Sequence, residues 1–130
     1  MIADSSSLIA ILLHQEGHDR VEAALAGAAV AGVGAPTLTE TGIVLASRLG
    51  AGSASLLARL VEEAGLSVIP FTEVHVRAAV DAWRRFGKGR HPAALNFGDC
   101  LTYATAQVAA QPLLCLGEDF TRTDLELVSL

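Results

Sequence analysis

The sequence is poor in aromatic residues, charged residues and cysteine. Of its 130 residues, 5% are aromatic and 18% are charged, whereas 52% are hydrophobic. A disordered chain is excluded, because this much apolar surface offsets the entropy that a chain loses on folding. With so few aromatics, Ala, Leu and Val must fill the core. The length fits a single domain, which we place at residues 1–130.

Cysteine pairs and targeting signals are missing as well. The two cysteines, Cys100 and Cys115, have no C-x-x-C spacing, so we expect free buried thiols in a reducing cytosol and therefore a cytoplasmic protein. The N-terminus lacks the basic segment and the cleavage pattern of a signal peptide. No apolar run approaches the ~20 residues that a membrane span needs, so we expect no membrane association.

An excess of positive charge is also absent. The net charge is −5, from 14 acids and 9 Lys and Arg residues, whereas nucleic-acid-binding domains are often strongly basic. The cations are unevenly spread, however, because Arg84, Arg85, Lys88 and Arg90 lie within seven residues and His91 follows them. Arginines at the end of a helix complement its dipole, but the two cations at 88 and 90 lie beyond the predicted helix, among glycines. They form a candidate basic rim.

Short apolar segments alternate with longer segments of helical periodicity. We predict strands at 1–3, within 29–35, at 66–70 and at 112–117, with a candidate last strand at 125–130. We predict helices at 5–14, 18–27, 37–50, 53–65, 72–87 and 97–110. In the helix at 72–87, the core-facing side is predicted to carry Val76, Ala79, Val80, Trp83 and Phe86. The alternation is typical of βαβ units, so the predicted fold class is α/β with a mostly parallel sheet covered on both faces.

Four acidic residues that are far apart in sequence are predicted to meet at one edge of this sheet. Asp4 ends the first strand, Glu40 lies in the first turn of a helix, Asp99 begins a later helix, and Asp119 follows the strand at 112–117. Helix N-termini lie near the carboxyl ends of parallel strands, where open α/β sheets place their sites. Carboxylates held close together repel unless a cation lies between them. An all-oxygen set without His or Cys favours Mg²⁺ or Mn²⁺.

Each acid also has a purely structural explanation when it is taken alone. Asp4 could cap the first helix, and Thr37 and Glu40 have the spacing of a capping box. Asn96 could be a cap that is followed by Asp99, an acid favoured by the helix dipole. The fourth acid could be a turn residue. The combination of all four acids at one edge favours a metal site.

The remaining polar residues are weaker candidates. Ser6 could hydrogen-bond a ligand or water, or could support the helix start. His14, His18 and His75 lack metal-ligand spacing and are expected at the surface or at an interface, while His91 is a candidate substrate contact. No G-x-S-x-G, P-loop or G-x-G-x-x-G sequence is present, so serine hydrolysis and nucleotide clamping are not expected.

Four segments resemble the PIN-domain ribonucleases and, more narrowly, the VapC toxins of bacterial toxin–antitoxin pairs. They are IADSSSLIAIL near the N-terminus, TLTETGIVLASR at 37–48, FGKGRHPAALNFGDCLTYA at 86–104 and PLLCLGEDFTRTDLE at 112–126. The resemblance covers nearly the whole chain. Its most specific part is 86–104, which combines a basic loop, NFGDC and a helix start.

This resemblance implies a fold, an activity and partners. The implied fold is a PIN-like three-layer α/β/α sandwich with a central, mostly parallel sheet. The implied activity is endonucleolytic cleavage of RNA that depends on Mg²⁺ or Mn²⁺. A cognate VapB-type antitoxin and a homodimer are also implied, and we expect the dimer surface on an exposed apolar helix face within 37–65.

Matching the family pattern assigns roles to individual residues. The acidic quartet is Asp4, Glu40, Asp99 and Asp119, which would act as metal ligands and catalytic groups. Ser6 matches the small hydroxyl residue that follows the first acid. The residues expected to contact the RNA backbone are Lys88, Arg90 and Arg84. Leu116 stands where many relatives carry a lysine, and Glu118 is an additional acid beside the fourth member of the quartet.

Two other functions remain open at the level of sequence. The protein could be a different metal-dependent phosphoesterase, such as a DNA nuclease or a phosphatase. It could also be a non-catalytic PIN-like module whose acids bind the arginines of a partner.

Overall fold

The computed structural model describes all residues from 1 to 130. Four strands are present: β1 (Ile2–Ala3), β2 (Gly32–Gly34), β3 (Ser67–Ile69) and β4 (Leu113–Leu114). Six helices accompany them: α1 (Ser5–Leu12), α2 (His18–Ala26), α3 (Ala35–Leu49), α4 (Ser53–Glu63), α5 (Glu73–Phe86) and α6 (Phe97–Ala109). A 3₁₀ turn at Gly50–Gly52 joins α3 to α4.

The strands form one parallel sheet in the order β3-β2-β1-β4. Ile2 pairs with Gly32 on one side and with Leu113 on the other, which places β1 at the centre. The predicted mostly parallel sheet is thus confirmed. The segment 125–130 is not a strand, because it contributes only an isolated bridge between Leu113 and Leu127.

Neighbouring residues in the central strands point to opposite faces of the sheet, and each face has its own core. Ile2 and Leu113 belong to the cluster beneath α5 and α6. Ala3 and Leu114 belong to the cluster beneath α1 and α2. The sheet is therefore covered by helices on both faces, and the three-layer arrangement is confirmed. Close packing needs glycine at Gly34, because a Cβ there would lie 2.7 Å from the hydroxyl of Thr105 in α6.

The apolar side of α5 is only partly covered, contrary to the sequence prediction. Ala79 and Phe86 are buried, whereas Val76, Val80 and Trp83 are 50%, 56% and 44% exposed. Apolar periodicity marks a face but does not say whether anything packs on it. The exposed part lines an open groove of about 540 Å³ with the neighbouring residues of α6.

His75 is the second difference in α5. It was expected at the surface or at an interface, but it is 7% exposed. Its Nδ1 accepts a hydrogen bond from the backbone N of Thr72 at 3.1 Å, so it closes a capping box at the start of the helix. Its ring also lies 5.3 Å from that of Phe71.

The helical stretch Ala35–Glu63 is long and apolar enough to cross a membrane, judged by length and composition alone. This stretch consists of two helices, predicted separately at 37–50 and 53–65, that the 3₁₀ turn joins. In this fold, α3 packs against α1 and α6, and Leu45 is fully buried. Other apolar side chains of this stretch face outward, including Ile43 at 66% and Leu56 at 42% exposure. The absence of membrane association stays a prediction.

Candidate active site

The first acid lies where the central strand ends. Asp4 follows β1, and its backbone N donates to the carbonyl oxygen of Leu114 at 2.9 Å. Its side chain accepts from the backbone N and Oγ of Ser6 at 3.2 and 2.7 Å, and from Thr102 Oγ1 at 3.0 Å. Asp4 is 7% exposed. It is therefore the N-cap of α1, and it also presents a firmly oriented carboxylate at the sheet edge.

The second acid is held by α3 in a different way from the one predicted. The predicted capping box of Thr37 and Glu40 is wrong, because α3 already begins at Ala35 and has Pro36 in its first turn. Glu40 is instead exposed on the helix, next to the start of α6. A Cβ on Gly98 would lie 2.6 Å from Glu40 Oε2, so this glycine leaves room for the carboxylate.

The third acid begins α6. The Asn96 side chain accepts from the backbone N of Asp99 at 2.9 Å, and Asp99 Oδ2 accepts from the backbone N of Asn96 at 3.0 Å. Asn96 is thus the N-cap, as predicted, and Asp99 completes a capping box with it. Burial raises the pKa of Asp99 to about 6, although the Asn96 bond opposes the shift; the charges of Asp119, Asp4 and Glu40 raise it further.

All four predicted acids line one open cavity of about 690 Å³ at the carboxyl edge of the sheet. The predicted Ser6 lines it too, as does Asn96, together with residues that the sequence analysis did not single out: Gln15, Glu16 and Arg48. Asp119 rather than Glu118 faces this cavity. Glu118 instead accepts a hydrogen bond from Thr121 Oγ1 through its backbone oxygen at 2.8 Å.

The acids share the cavity without forming a ready-made ligand set. No group of three or more His, Cys, Asp or Glu side chains is arranged to hold an ion in this structure. The donor set nevertheless fits a hard divalent ion, since it is rich in carboxylate oxygens and contains no His or Cys.

The predicted basic residues lie outside this cavity. Arg84, Lys88 and Arg90 are all exposed, and none of them lines it. The guanidinium of Arg90 stacks 4.7 Å above the ring of Trp83, which orders the basic loop. That loop is also tied to the segment before α6, because Lys88 N donates to the carbonyl oxygen of Leu95 at 2.9 Å.

The sequence analysis missed Arg48, the one cation that lines the cavity. A signal for it exists in the spacing. Glu40, Val44 and Arg48 follow each other at intervals of four residues, so they share one face of α3 and all line the cavity.

His91, a candidate substrate contact, has a local structural role. Its Nδ1 accepts from the backbone N of Ala93 at 3.1 Å, and its ring packs edge-on against Phe86 with the centroids 5.2 Å apart. It braces the basic loop and does not line the acidic cavity.

The two cysteines are free and buried, as expected. Burial raises the pKa of Cys115 to about 12, and the charges of Asp4 and Asp119 raise it further. This residue therefore stays a neutral thiol beside the acids, and it is not a nucleophile.

Comparison with known proteins identifies the family. Residues 1–126 match the PIN domain family. Ribonuclease VapC36 of Mycobacterium tuberculosis is 51% identical over 127 residues, which cover 97% of this chain and 91% of that protein. The chain belongs to the PIN-domain family. Ribonuclease VapC of Mycolicibacterium smegmatis is 39% identical over 128 residues, 98% of this chain and 99% of that protein. This PIN domain is therefore of the VapC type.

Solved structures share the same PIN architecture. Mycobacterium tuberculosis VapC20, described as a toxin that cleaves the sarcin–ricin loop, matches with a TM-score of 0.78 at 18% identity and covers 98% of this chain and 97% of its own. A toxin–antitoxin complex from Klebsiella pneumoniae matches with a TM-score of 0.68 at 16% identity. The match covers 95% of this chain and 92% of the matched chain in that complex. These likenesses show the fold, and the expected PIN-type sandwich is confirmed.

Proposed function

We propose that this PIN domain is the toxin of a toxin–antitoxin pair and cleaves RNA with the help of Mg²⁺ or Mn²⁺. The observation that carries the proposal is the shared cavity of Asp4, Glu40, Asp99 and Asp119, in which the charges of three acids contribute to the raised pKa of the fourth. The relatives named ribonucleases support RNA as the substrate class.

The proposed division of labour follows from how each acid is held. Asp4 and Asp99 have backbone and hydroxyl donors that fix their carboxylates, so they are the expected direct ligands. A bound divalent ion would supply Lewis acidity for the phosphate and a lowered pKa for a coordinated water. Glu40 and Asp119 also line the cavity and would orient the attacking water and accept its proton, or hold a second ion.

In this reaction a water oxygen bonds to phosphorus and the bond from phosphorus to the leaving ribose oxygen breaks. The products expected from the family resemblance are a 3′-hydroxyl and a 5′-phosphate. The cations at Lys88, Arg90, Arg84 and Arg48 would bind backbone phosphates on either side of the scissile bond. Such contacts position the strand without reading its sequence.

A VapB-type antitoxin is the proposed protein partner. An arginine inserted among the four carboxylates would form strong bidentate pairs and block the site. The Klebsiella pneumoniae toxin–antitoxin complex, which shares this fold, supports this kind of partner. We also propose a cytoplasmic homodimer, with the outward apolar side chains of α3 and α4, such as Ile43 and Leu56, at its interface.

The proposal is tested by incubating the purified protein with single-stranded RNA, duplex DNA and a phosphomonoester, each with Mn²⁺. We expect cleavage of RNA only, complete loss in EDTA, and loss of about 10²-fold or more in Asp99→Asn. The variant should fold, because asparagine keeps an oxygen that can accept the Asn96 bond. Cleavage that persists in both EDTA and Asp99→Asn contradicts the proposed metal-dependent reaction. No cleavage of any of the three substrates with Mn²⁺ favours the non-catalytic binding module.

The toxin role has a separate test in bacteria. Strong expression without an antitoxin should stop growth, and Asp4→Asn should restore growth while the soluble yield stays the same. Normal growth with abundant wild-type protein contradicts the toxin assignment.

A further inference from the structure

Thr102 makes a hydrogen bond that distinguishes it from three other helical threonines of this protein. Thr39, Thr41 and Thr105 each donate to the carbonyl oxygen four residues earlier. That bond is the ordinary local choice for a hydroxyl inside a helix. Thr102 instead donates to Asp4 Oδ1 at 3.0 Å, across 98 residues of sequence.

A second threonine orients this hydroxyl. Thr37 Oγ1 and Thr102 Oγ1 lie 3.0 Å apart. An ionised carboxylate only accepts, and a threonine hydroxyl has a single hydrogen. Since Thr102 gives that hydrogen to Asp4, Thr37 must donate to Thr102. All three side chains are buried: Thr37 is 4% exposed, Thr102 is 2% exposed and Asp4 is 7% exposed. Water therefore competes little with these bonds, and they strengthen each other.

The other oxygen of the same carboxylate is held by a matching arrangement. Asp4 Oδ2 accepts from Ser6 Oγ at 2.7 Å, and Ser6 Oγ accepts from the backbone N of Leu116 at 3.1 Å. Each carboxylate oxygen thus has a hydroxyl donor that a further donor anchors. This fixes the orientation of the carboxylate. Because Oδ2 also accepts from the backbone N of Ser6, the lone pair that remains for a ligand is on Oδ1.

We propose that Thr102, oriented by Thr37, is a positioning residue that fixes the carboxylate of Asp4 for binding a divalent ion. The inference rests on the proposed metal-dependent function and adds a residue that the family resemblance does not assign. Partners that orient a ligating group typically contribute about 10-fold to 100-fold in metal affinity or activity. Thr102 would act in this way through Asp4, without contacting substrate.

The test is a calorimetric titration of Mn²⁺ alone into the metal-free protein, without RNA. Thr102→Val keeps the shape of the side chain and removes its hydroxyl, so Mn²⁺ affinity should fall about 10-fold to 100-fold. Thr102→Ser keeps the hydroxyl and should restore wild-type affinity. Thr105→Val is the matched control, because Thr105 lies on the same helix, is 1% exposed and donates its hydroxyl to the carbonyl oxygen of Leu101.

Cleavage kinetics with single-stranded RNA give the second readout. At an Mn²⁺ concentration that half-saturates the wild type, Thr102→Val should lower kcat and leave KM for RNA unchanged. Melting in EDTA checks that each variant is folded. If Thr102→Val does not fold, Thr102→Ala is compared with Thr102→Ser under the same expectation.

Two results would overturn the role of Thr102 while the proposed function stands. One is equal Mn²⁺ affinity in the wild type and in Thr102→Val. The other is an equal loss in Thr102→Ser and Thr102→Val, because packing rather than the hydroxyl would then be responsible. A wild-type protein that neither binds Mn²⁺ nor cleaves RNA contradicts the proposed function itself.

Discussion

At the scale of single residues, a proton and a metal ion compete for the carboxyl group of Asp99. Burial raises its pKa to about 6, and the charges of Asp119, Asp4 and Glu40 add to the shift. The same negative field that makes ionisation costly favours a divalent cation. Metal binding here should therefore strengthen as pH rises through about 6, since a ligating carboxylate must be deprotonated.

The raised pKa of Asp99 also predicts how metal-free stability depends on pH. The ordinary pKa of aspartate in an unfolded chain is about 4. Between that value and about 6, the folded chain keeps a proton that the unfolded chain has lost, so this residue lowers stability as pH rises. This carboxyl is only half buried, so solvent screening reduces the effect. We expect the raised pKa to lower the free energy of unfolding by about 1 kcal/mol at neutral pH.

The measurement is urea unfolding in EDTA at pH 4.5 and pH 7 for the wild type and Asp99→Asn. The fall in stability over this range should be smaller in the variant by the stated amount. Identical pH dependence in the two proteins would show that the carboxyl is not perturbed.

Gly98 provides a second prediction for a single residue. Gly98→Ala should stabilise α6 by about 0.5 kcal/mol, because alanine is the better helix former. The new Cβ would lie 2.6 Å from Glu40 Oε2 and displace that carboxylate, so Mn²⁺ affinity should fall about 10-fold. Thermal melting and calorimetry measure the two effects. Unchanged affinity in the stable variant would count against a metal-binding role for Glu40.

The sequence supplied the acids but not the residues that support them. Asp4 and Asp99 could be found because they stand at predicted element boundaries, where the sheet topology fixes their position. Thr102 and Thr37 could not, because their hydroxyl contact joins positions 65 residues apart on two helices. Arg48 lies within reach of pattern reasoning, since it shares a helix face with Glu40.

At the scale of elements, the C-terminal segment is attached to α5 and α6 by a small polar cluster. Tyr103 is fully buried, and its hydroxyl donates to Asp124 Oδ1 at 2.5 Å. Arg85 Nη2 donates to Asp124 Oδ2 at 2.8 Å. Burial and the carboxylate of Asp124 together raise the pKa of Tyr103 to about 12, so it remains a donor at any physiological pH.

This cluster predicts a stability effect that is separate from the active site. Tyr103→Phe should lower the free energy of unfolding by about 1 kcal/mol, because it removes one hydrogen bond to a carboxylate. Urea unfolding measures the change, and RNA cleavage should be unaffected. Arg77→Gln is the control, since its ion pair with Glu73 is exposed and contributes about 0.5 kcal/mol or less. Equal stability of Tyr103→Phe and wild type would contradict this role.

Element types were predictable from periodicity, whereas their ends and coverage were not. The strand predicted at 112–117 contains only Leu113–Leu114 as paired residues. Beyond that pair the backbone enters the loop that carries Asp119. The apolar segment therefore extends further along the chain than the paired residues do. The exposed side of α5 likewise has a core-like pattern without a covering element, because periodicity does not report what lies opposite.

At the scale of the whole molecule, an acidic protein is proposed to bind a polyanion. The distribution of charge resolves the contradiction, because the exposed Arg84, Lys88 and Arg90 lie close together in sequence and outside the cavity that the acids line. A divalent ion in that cavity would further reduce its negative charge. RNA affinity should then depend on salt through few phosphate contacts.

Lys88→Gln tests the proposed rim without removing a packed side chain. We expect KM for single-stranded RNA to rise while kcat and Mn²⁺ affinity stay unchanged, because a phosphate contact adds binding but no chemistry. The slope of log affinity against log salt should flatten by about 0.7. Arg59→Gln removes a similar charge from the exposed Arg59–Glu63 pair on α4. It should change neither the KM for RNA nor the salt slope. Equal effects of the two substitutions would contradict a local rim.

The most direct test of the central claim is anomalous diffraction from crystals of the protein grown with Mn²⁺. The account predicts an anomalous peak in the cavity, about 2.2 Å from carboxylate oxygens of Asp4 and Asp99, with Glu40 and Asp119 beside it or around a second peak. A protein that cleaves RNA in Mn²⁺ but shows no peak among these acids at saturating Mn²⁺ would contradict it.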